Sequence, residues 1–212
     1  QPVVLLATPD LLTSTPVPTL ALTAMDADGL RAALDAAWAN DWERVVDDGF
    51  GAVANQSVLD FIEYGGFLYA STYNTTGGQV YRSHDGQTWA QVGSDGLGDV
   101  FNTYLNAMEV FNGRLYLGAG GAFSPANPDP GAELWSCQVC DGSDWHEHIA
   151  QKRFGTPPNL GVNALLVYGG RLYAFAGGPD GSNLWSTADG TTWQREAEAG
   201  FGYAANTHAY YN

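Results

Sequence analysis

The amino-acid sequence predicts an all-β fold of repeated antiparallel units, and three recurring markers carry that reading. The first is a turn. Ser83-His84-Asp85-Gly86-Gln87-Thr88-Trp89 returns as Thr187-Ala188-Asp189-Gly190-Thr191-Thr192-Trp193, and Cys140-Asp141-Gly142-Ser143-Asp144-Trp145 is a variant with a longer lead-in. The second is an asparagine four residues after a Gly-Phe-Gly or Gly-Leu-Gly triplet. It stands at Asn55, Asn102, Asn159 and Asn206, at steps of 47, 57 and 47 residues, and the third triplet is reduced to Phe154-Gly155. The third is Gly-x-Leu-Tyr, beginning at Gly66, Gly113 and Gly170 with the same steps.

Within the first unit, four short strands are expected over Val58–Glu63, Phe67–Ser71, Gln79–Arg82 and Thr88–Val92, each bounded by Gly, Asn or Asp. Asp-Gly suits the hairpin between the last two. Glycine tolerates positive φ, and the aspartate carboxylate accepts the backbone N–H groups just beyond it. The Thr-Trp that follows starts a strand and offers a large ring to bury. Of the ten extra residues in the middle unit, seven fall in the Gly-, Pro- and Asn-rich stretch Gly118–Gly131, two at the cysteine hairpin and one after Trp145. Insertions confined to turns are what stacked repeats tolerate. Four antiparallel strands per unit of about 45 residues is the signature of a β-propeller blade. The expected organisation is a part blade over residues 41–54, whole blades over 55–101, 102–158 and 159–205, and a part blade over 206–212.

The Ser/Thr-x-Asp-Gly-x-Thr-Trp turns, with Asp85, Gly86 and Trp89, Asp141, Gly142 and Trp145, and Asp189, Gly190 and Trp193, resemble the Asp-box (BNR-like) repeat of β-propellers. The fuller family motif has one more residue between Asp and Gly. The resemblance runs from about Asp41 to the C-terminus. It implies a structural role for the turns, between the third and fourth strands of each blade. It selects no function, because sialidases, other glycan-active enzymes, receptor ectodomains and assembly factors all carry the repeat.

Ahead of the repeats, residues 1–25 read as extended polypeptide, rich in Pro and Thr, either a linker or a strand seeking a sheet edge. Over residues 26–40, Leu30, Ala33, Leu34, Ala37 and Trp38 recur at helical spacing behind Asp26 and Asp28, which predicts an amphipathic helix packed on the propeller. Asp41–Val46, with Trp42, is expected to be a lone fourth strand. Three whole blades cannot close a ring. The readings left open are a fragment of a longer chain, strand exchange between subunits, and internal completion by the N-terminal segment. Gln1 in place of an initiator Met suggests a mature form lacking its signal peptide, or a trimmed chain.

Composition narrows the partners. The net charge is −15 with eight basic residues, which disfavours nucleic acid and anionic membrane surfaces. No run approaches the ~20 apolar residues of a membrane-spanning helix. A secreted or cell-surface setting fits the acidity.

Candidate chemistry is sparse. Cys137 and Cys140 are the only cysteines. Three states are open: a local disulfide stapling the lengthened hairpin, a zinc site completed by His146 and His148, or free thiols. Arg114 and Arg171 share a repeat position, and no arginine cluster or paired acid stands out; Asp47 and Asp48 read as a solvated loop. Asn55-Gln56-Ser57 and Asn74-Thr75-Thr76 match glycosylation sequons. The function expected from the sequence is a non-catalytic structural or binding module without a cofactor. It would take a glycan or protein ligand, or self-associate through its part blades, with a binding face at Gly118–Gly131 and the turns at Phe50, Leu97 and Phe154. The alternative is a sialidase-like or other glycan-active hydrolase.

Overall fold

The computed structural model describes Gly29 and residues 44–122, 124–127, 131–148, 159–178, 181–197, 199–203 and 206. The chain divides into two units, Gln1–Glu43 and Arg44–Asn212. In the first, Gly29 is helical, and the rest of the helix expected over 26–40 lies outside the described residues, as does residues 1–25. In the second, residues 44–47 form no strand, which corrects the expectation for Val46 and its described neighbours. Residues 207–212 of the expected last part blade also lie outside.

The second unit is three antiparallel meanders of four strands. β1 (Asn55–Tyr64), β2 (Phe67–Asn74), β3 (Val80–Ser83) and β4 (Trp89–Gln91) pair in chain order. β5 (Tyr104–Phe111), β6 (Arg114–Gly120), β7 (Glu133–Cys137) and β8 (His146–Glu147) repeat the pattern. So do β9 (Gly161–Tyr168), β10 (Arg171–Gly177), β11 (Asn183–Thr187) and β12 (Gln194–Arg195). Each first hairpin closes on two residues of positive φ, Gly65-Gly66, Asn112-Gly113 and Gly169-Gly170. Such turns match the twist of the strands they join.

Neighbouring meanders share one ladder pair each, Tyr73↔Tyr104 and Gly120↔Gly161, flanked by backbone hydrogen bonds such as Asn74 N–H to the Thr103 carbonyl and Gly121 N–H to the Leu160 carbonyl. Beyond these bridges the sheets pack face to face. One core lies between the first two meanders and contains Tyr69, Leu105, Met108, Leu115 and Leu117, with Trp145 against it. The other lies between the second and third and contains Tyr116, Leu134, Val162, Leu172 and Ala174, with Trp185 and Trp193 against it. β6 is buried along its length after Arg114 because it has a sheet on either side.

The Gly-Phe/Leu-Gly triplets cap this arrangement. Phe50, Leu97 and Phe201 have φ near +58°, +58° and +55°, a region costing roughly 1–2 kcal/mol for a residue with a side chain. The repeated asparagine holds each turn: Nδ2 of Asn55, Asn102 and Asn206 donates to the carbonyls of Gly49, Gly96 and Gly200 at 2.9, 3.1 and 2.9 Å. Among the described residues, no helix is long and apolar enough to cross a membrane.

Candidate functional site

The first strands of the three meanders, β1, β5 and β9, border a cavity of about 820 Å³. Each carries a β-bulge at the same repeat position. The register steps from Val58↔Thr72 to Asp60↔Ser71 on β1, from Leu105↔Ala119 to Ala107↔Gly118 on β5, and from Val162↔Ala176 to Ala164↔Phe175 on β9. Leu59, Asn106 and Asn163 are thereby left out of the ladder, and all three line the cavity. Bulges re-aim side chains and release backbone groups from pairing, and they gather beside functional sites.

The bulged asparagines meet. Asn106 Nδ2 donates to Asn163 Oδ1 at 3.1 Å. Gly161 beneath them leaves the space: a Cβ there would stand 3.2 Å from Asn106 Nδ2 and 3.3 Å from Asn163 Oδ1. The two inter-sheet bridges form contrasting parts of the lining. Tyr73 and Tyr104 stack with ring centroids 4.4 Å apart and planes at 14°. Burial, and then the hydrogen bond with Tyr73, raises the Tyr104 hydroxyl above its usual pKa. At the other bridge a Cβ on Gly120 would fall 2.3 Å from the Leu160 carbonyl oxygen, so no side chain fits.

Asp60 supplies the cavity's charge. Its Oδ1 accepts the Phe61 N–H at 2.8 Å and its Oδ2 the Met108 N–H at 2.6 Å. On β5, Glu109 makes the parallel pair, Oε1 from Val110 N–H at 3.0 Å and Oε2 from Val167 N–H at 3.2 Å. Among the described lining residues Asp60 is the one acid, and none is an arginine. Sequence reasoning passed over this group, although a signal was there. Aligned on the asparagine marker, Asp60 stands against Ala107 and Ala164, and Tyr73 against Gly120 and Gly177. Side chains that break a repeat where other copies are small are candidates for function rather than for scaffolding.

The structure places the turn residues at corresponding bends, β3–β4, β7–β8 and β11–β12. Asp85 Oδ1 accepts the Gln87 and Thr88 N–H groups at 2.8 and 2.6 Å and the Ser83 hydroxyl at 3.0 Å. Asp189 Oδ1 accepts Thr191 and Thr192 N–H, both at 2.7 Å, and the Thr187 hydroxyl at 2.9 Å. These backbone donors hold both carboxyls far below the usual range. The lengthened hairpin divides the task. Asp141 Oδ1 holds the Ser143 N–H and hydroxyl, while Asp144 takes the N–H groups of Gln138, Val139 and Cys140 at 2.7 to 2.9 Å. Burial pushes Asp144 up, but the three N–H donors outweigh it and its pKa is lowered. Trp89 Nε1 donates to the Gly86 carbonyl at 3.2 Å, and Trp145 and Trp193 pack on the two cores. Gly190 needs both its φ of +82° and its missing side chain, since a Cβ would lie 2.1 Å from the Tyr116 hydroxyl of the adjoining meander. Gly142 meets Gly93 in the same way.

Cys137 and Cys140 form a disulfide. Their sulfurs are committed to each other, so the zinc set does not assemble. His148 instead stacks on Tyr116 and lies 2.6 Å from Ser136 Oγ through Nε2. Arg114 Nε donates to the same hydroxyl at 2.9 Å, and Arg171 bonds Ser186 at the equivalent place, so both arginines serve the sheets. The expected binding face is also corrected. Leu97 is 7% exposed, Phe50 stacks on Tyr81, and Phe154 lies outside the described residues; of Gly118–Gly131, Gly120 and Gly121 reach the cavity. Neither sequon offers its amide to solvent: Asn55 is 8% and Asn74 1% exposed, and Asn74 Nδ2 donates to Asn55 Oδ1 at 2.8 Å.

No protein-family model and no curated protein sequence matches the chain. Among solved structures it is similar to an endo-arabinase from Bacteroides thetaiotaomicron, with a TM-score of 0.50 and 14% identity over 72% of this chain and 57% of that one. The fold is a β-propeller. Similarity extends to a Bombyx mori β-fructofuranosidase variant in complex with sucrose, with a TM-score of 0.46 and 9% identity over 80% of this chain and 42% of that one. It also extends to an α-L-arabinofuranosidase from Fusarium graminearum bound to an iminosugar inhibitor, with a TM-score of 0.44 and 16% identity over 65% and 47%. This chain thus spans about half the length of the solved structures it matches. The endo-arabinase corrects the expectation of a non-catalytic structural module, since the fold shared with this chain is one that an enzyme uses.

Proposed function

We propose that this chain is a glycan-active β-propeller of the glycoside hydrolase type, holding carbohydrate in the cavity between β1, β5 and β9, with Asp60 as a catalytic carboxylate. The observation that carries the reading is Asp60 itself. It is the acid in the cavity lining, beside a bulge, where the other two copies of the repeat have alanine. The lining also offers the mixture a sugar requires, aromatic rings for its apolar face and amides for its hydroxyls. The arabinase and fructofuranosidase among the neighbours support the substrate class.

Glycoside hydrolysis runs on two carboxylates flanking the scissile bond, about 5 to 9.5 Å apart according to whether configuration is retained or inverted. Both Asp60 oxygens face backbone N–H donors, the setting of an acceptor, so its role here is base or nucleophile. The general acid has to come from outside the described lining residues. On this reading residues 55–101, 102–158 and 159–205 are three whole blades closed by Asp-box-type turns. The Cys137–Cys140 disulfide fits a secreted or cell-surface location.

Release of reducing ends from arabinan and fructan tests the proposal. Wild-type protein should cleave at least one of them, and Asp60→Asn should lower the rate by about a thousandfold while remaining folded. Equal rates in the two proteins, or no cleavage of either polymer, would refute it.

A further inference from the structure

The polar and aromatic parts of the cavity are arranged as one subsite. Tyr73 and Tyr104 present a stacked pair at the bridge between the first two meanders, and the structurally equivalent bridge is bare Gly120–Gly161. One junction therefore supplies a flat wall, and the other a bare floor where Gly120 admits no Cβ and Gly161 leaves the space below the amides open. Above that floor stands the Asn106–Asn163 pair. Its single hydrogen bond uses Asn106 Nδ2 and Asn163 Oδ1, which leaves Asn106 Oδ1 and Asn163 Nδ2 unpartnered among the described residues. An acceptor and a donor side by side, in one cavity lining with aromatic rings, match the adjacent hydroxyls and the apolar face of one sugar ring.

We infer that the bulged Asn106–Asn163 amide pair and the Tyr73–Tyr104 wall form a single-ring sugar subsite and determine which glycan this cavity accepts. The inference rests on the reading of the cavity as a glycan site. The three bulges are the device that makes it. Without the extra residue on β5 and β9, the register shifts by one and the side chains change faces. Leu59, at the same position on β1, offers no hydrogen bond. The amide pair therefore lies on the β5–β9 side of the cavity, the tyrosine wall at the β2–β5 bridge, and Asp60 joins the lining from β1.

The test is titration of the full chain with arabino- and fructo-oligosaccharides, followed by calorimetry and by saturation transfer to the sugar protons. Wild type is expected to bind one of the two classes. Asn163→Ala and Tyr104→Ala should each weaken that binding about tenfold, and Tyr104→Phe, which keeps the ring, should bind within about twofold of wild type. Gly161→Ala adds one methyl group against the amide pair and should weaken binding without removing any polar atom. Tyr104 also belongs to an inter-sheet bridge, so thermal unfolding is recorded for each variant, and Asn163→Ala and Gly161→Ala decide the matter should Tyr104→Ala not fold. Unchanged affinity in Asn163→Ala and Gly161→Ala overturns the subsite and leaves the glycan site standing. No binding of either class by wild type overturns the glycan reading and the subsite with it.

Discussion

The Asp60 carboxylate on β1 accepts the backbone N–H of Met108 on β5 at 2.6 Å, joining residues 48 positions apart. Glu109 on β5 reaches Val167 on β9 in the same manner, at 3.2 Å. The first strands of neighbouring meanders are thus tied by acids, not by a continuous ladder. The bond also fixes how Asp60 is presented to the cavity.

Asp60→Ala removes the acceptor of two backbone N–H groups. One of them, Met108 N–H, is partly buried, and orphaning such a donor costs about 1–3 kcal/mol. Urea unfolding should show that loss, and Asp60→Asn, which keeps one acceptor oxygen, should lose less.

His148 should make the fold acid-sensitive in a window of its own. Burial, then the neighbouring His146 and Arg114 charges, lowers its pKa to about 4. The unfolded chain takes up this proton near pH 6.5 and the folded chain does not. The contribution of His148 is therefore fully present above about pH 6.5 and is lost as pH falls toward 4. Thermal midpoints of wild type should fall across that interval, and those of His148→Gln should fall less.

The bends at Asp85 and Asp189 act lower on the scale. Backbone N–H donors depress both carboxyls in the folded state, so their contribution is present above the unfolded value of about 3.9 and is lost as pH falls toward the folded one. The double variant Asp85→Asn, Asp189→Asn should be less stable than wild type at pH 7. The gap between the two melting curves should be constant down to about pH 4 and shrink below it.

Reduction of Cys137–Cys140 should loosen the contact between the first two meanders. The loop is short, so the entropic part is about 2 kcal/mol. The disulfide also holds Cys140 at a φ of +55°, where its carbonyl accepts the Tyr69 hydroxyl at 3.3 Å and Arg82 Nη1 at 3.1 Å. Adding dithiothreitol should lower the unfolding midpoint of wild type. A Cys137→Ser, Cys140→Ser variant should start low and not respond.

Turn chemistry and strand periodicity were readable in the chain because they are local. An Asp-Gly bend closes over three residues at Asp85 and again at Asp189, and a Gly-x-Leu-Tyr hairpin needs only its own two strands. The asparagine marker at Asn55, Asn102 and Asn206 was equally visible, since each side chain reaches back six residues to a glycine carbonyl. The middle bend misled. Its insertion moved the work of Asp85 partly to Asp144, and nothing in the spacing distinguishes Asp141 from Asp144 as the acceptor for Gln138, Val139 and Cys140.

What the sequence determined by itself is the repeat: that four short strands recur, which bends are acidic, and that aromatic rings must be buried every 45 residues or so. Tertiary structure decided the cavity. A bulge exists only relative to a partner strand, so Leu59, Asn106 and Asn163 became cavity-lining residues when β2, β6 and β10 set their registers. The burial of Asn55 and Asn74, the Tyr73–Tyr104 wall and the reach of Asp60 to Met108 likewise depend on contacts between segments distant in the chain. Local preference fixes a turn within a few residues, whereas a site between sheets is fixed by packing that no short stretch contains.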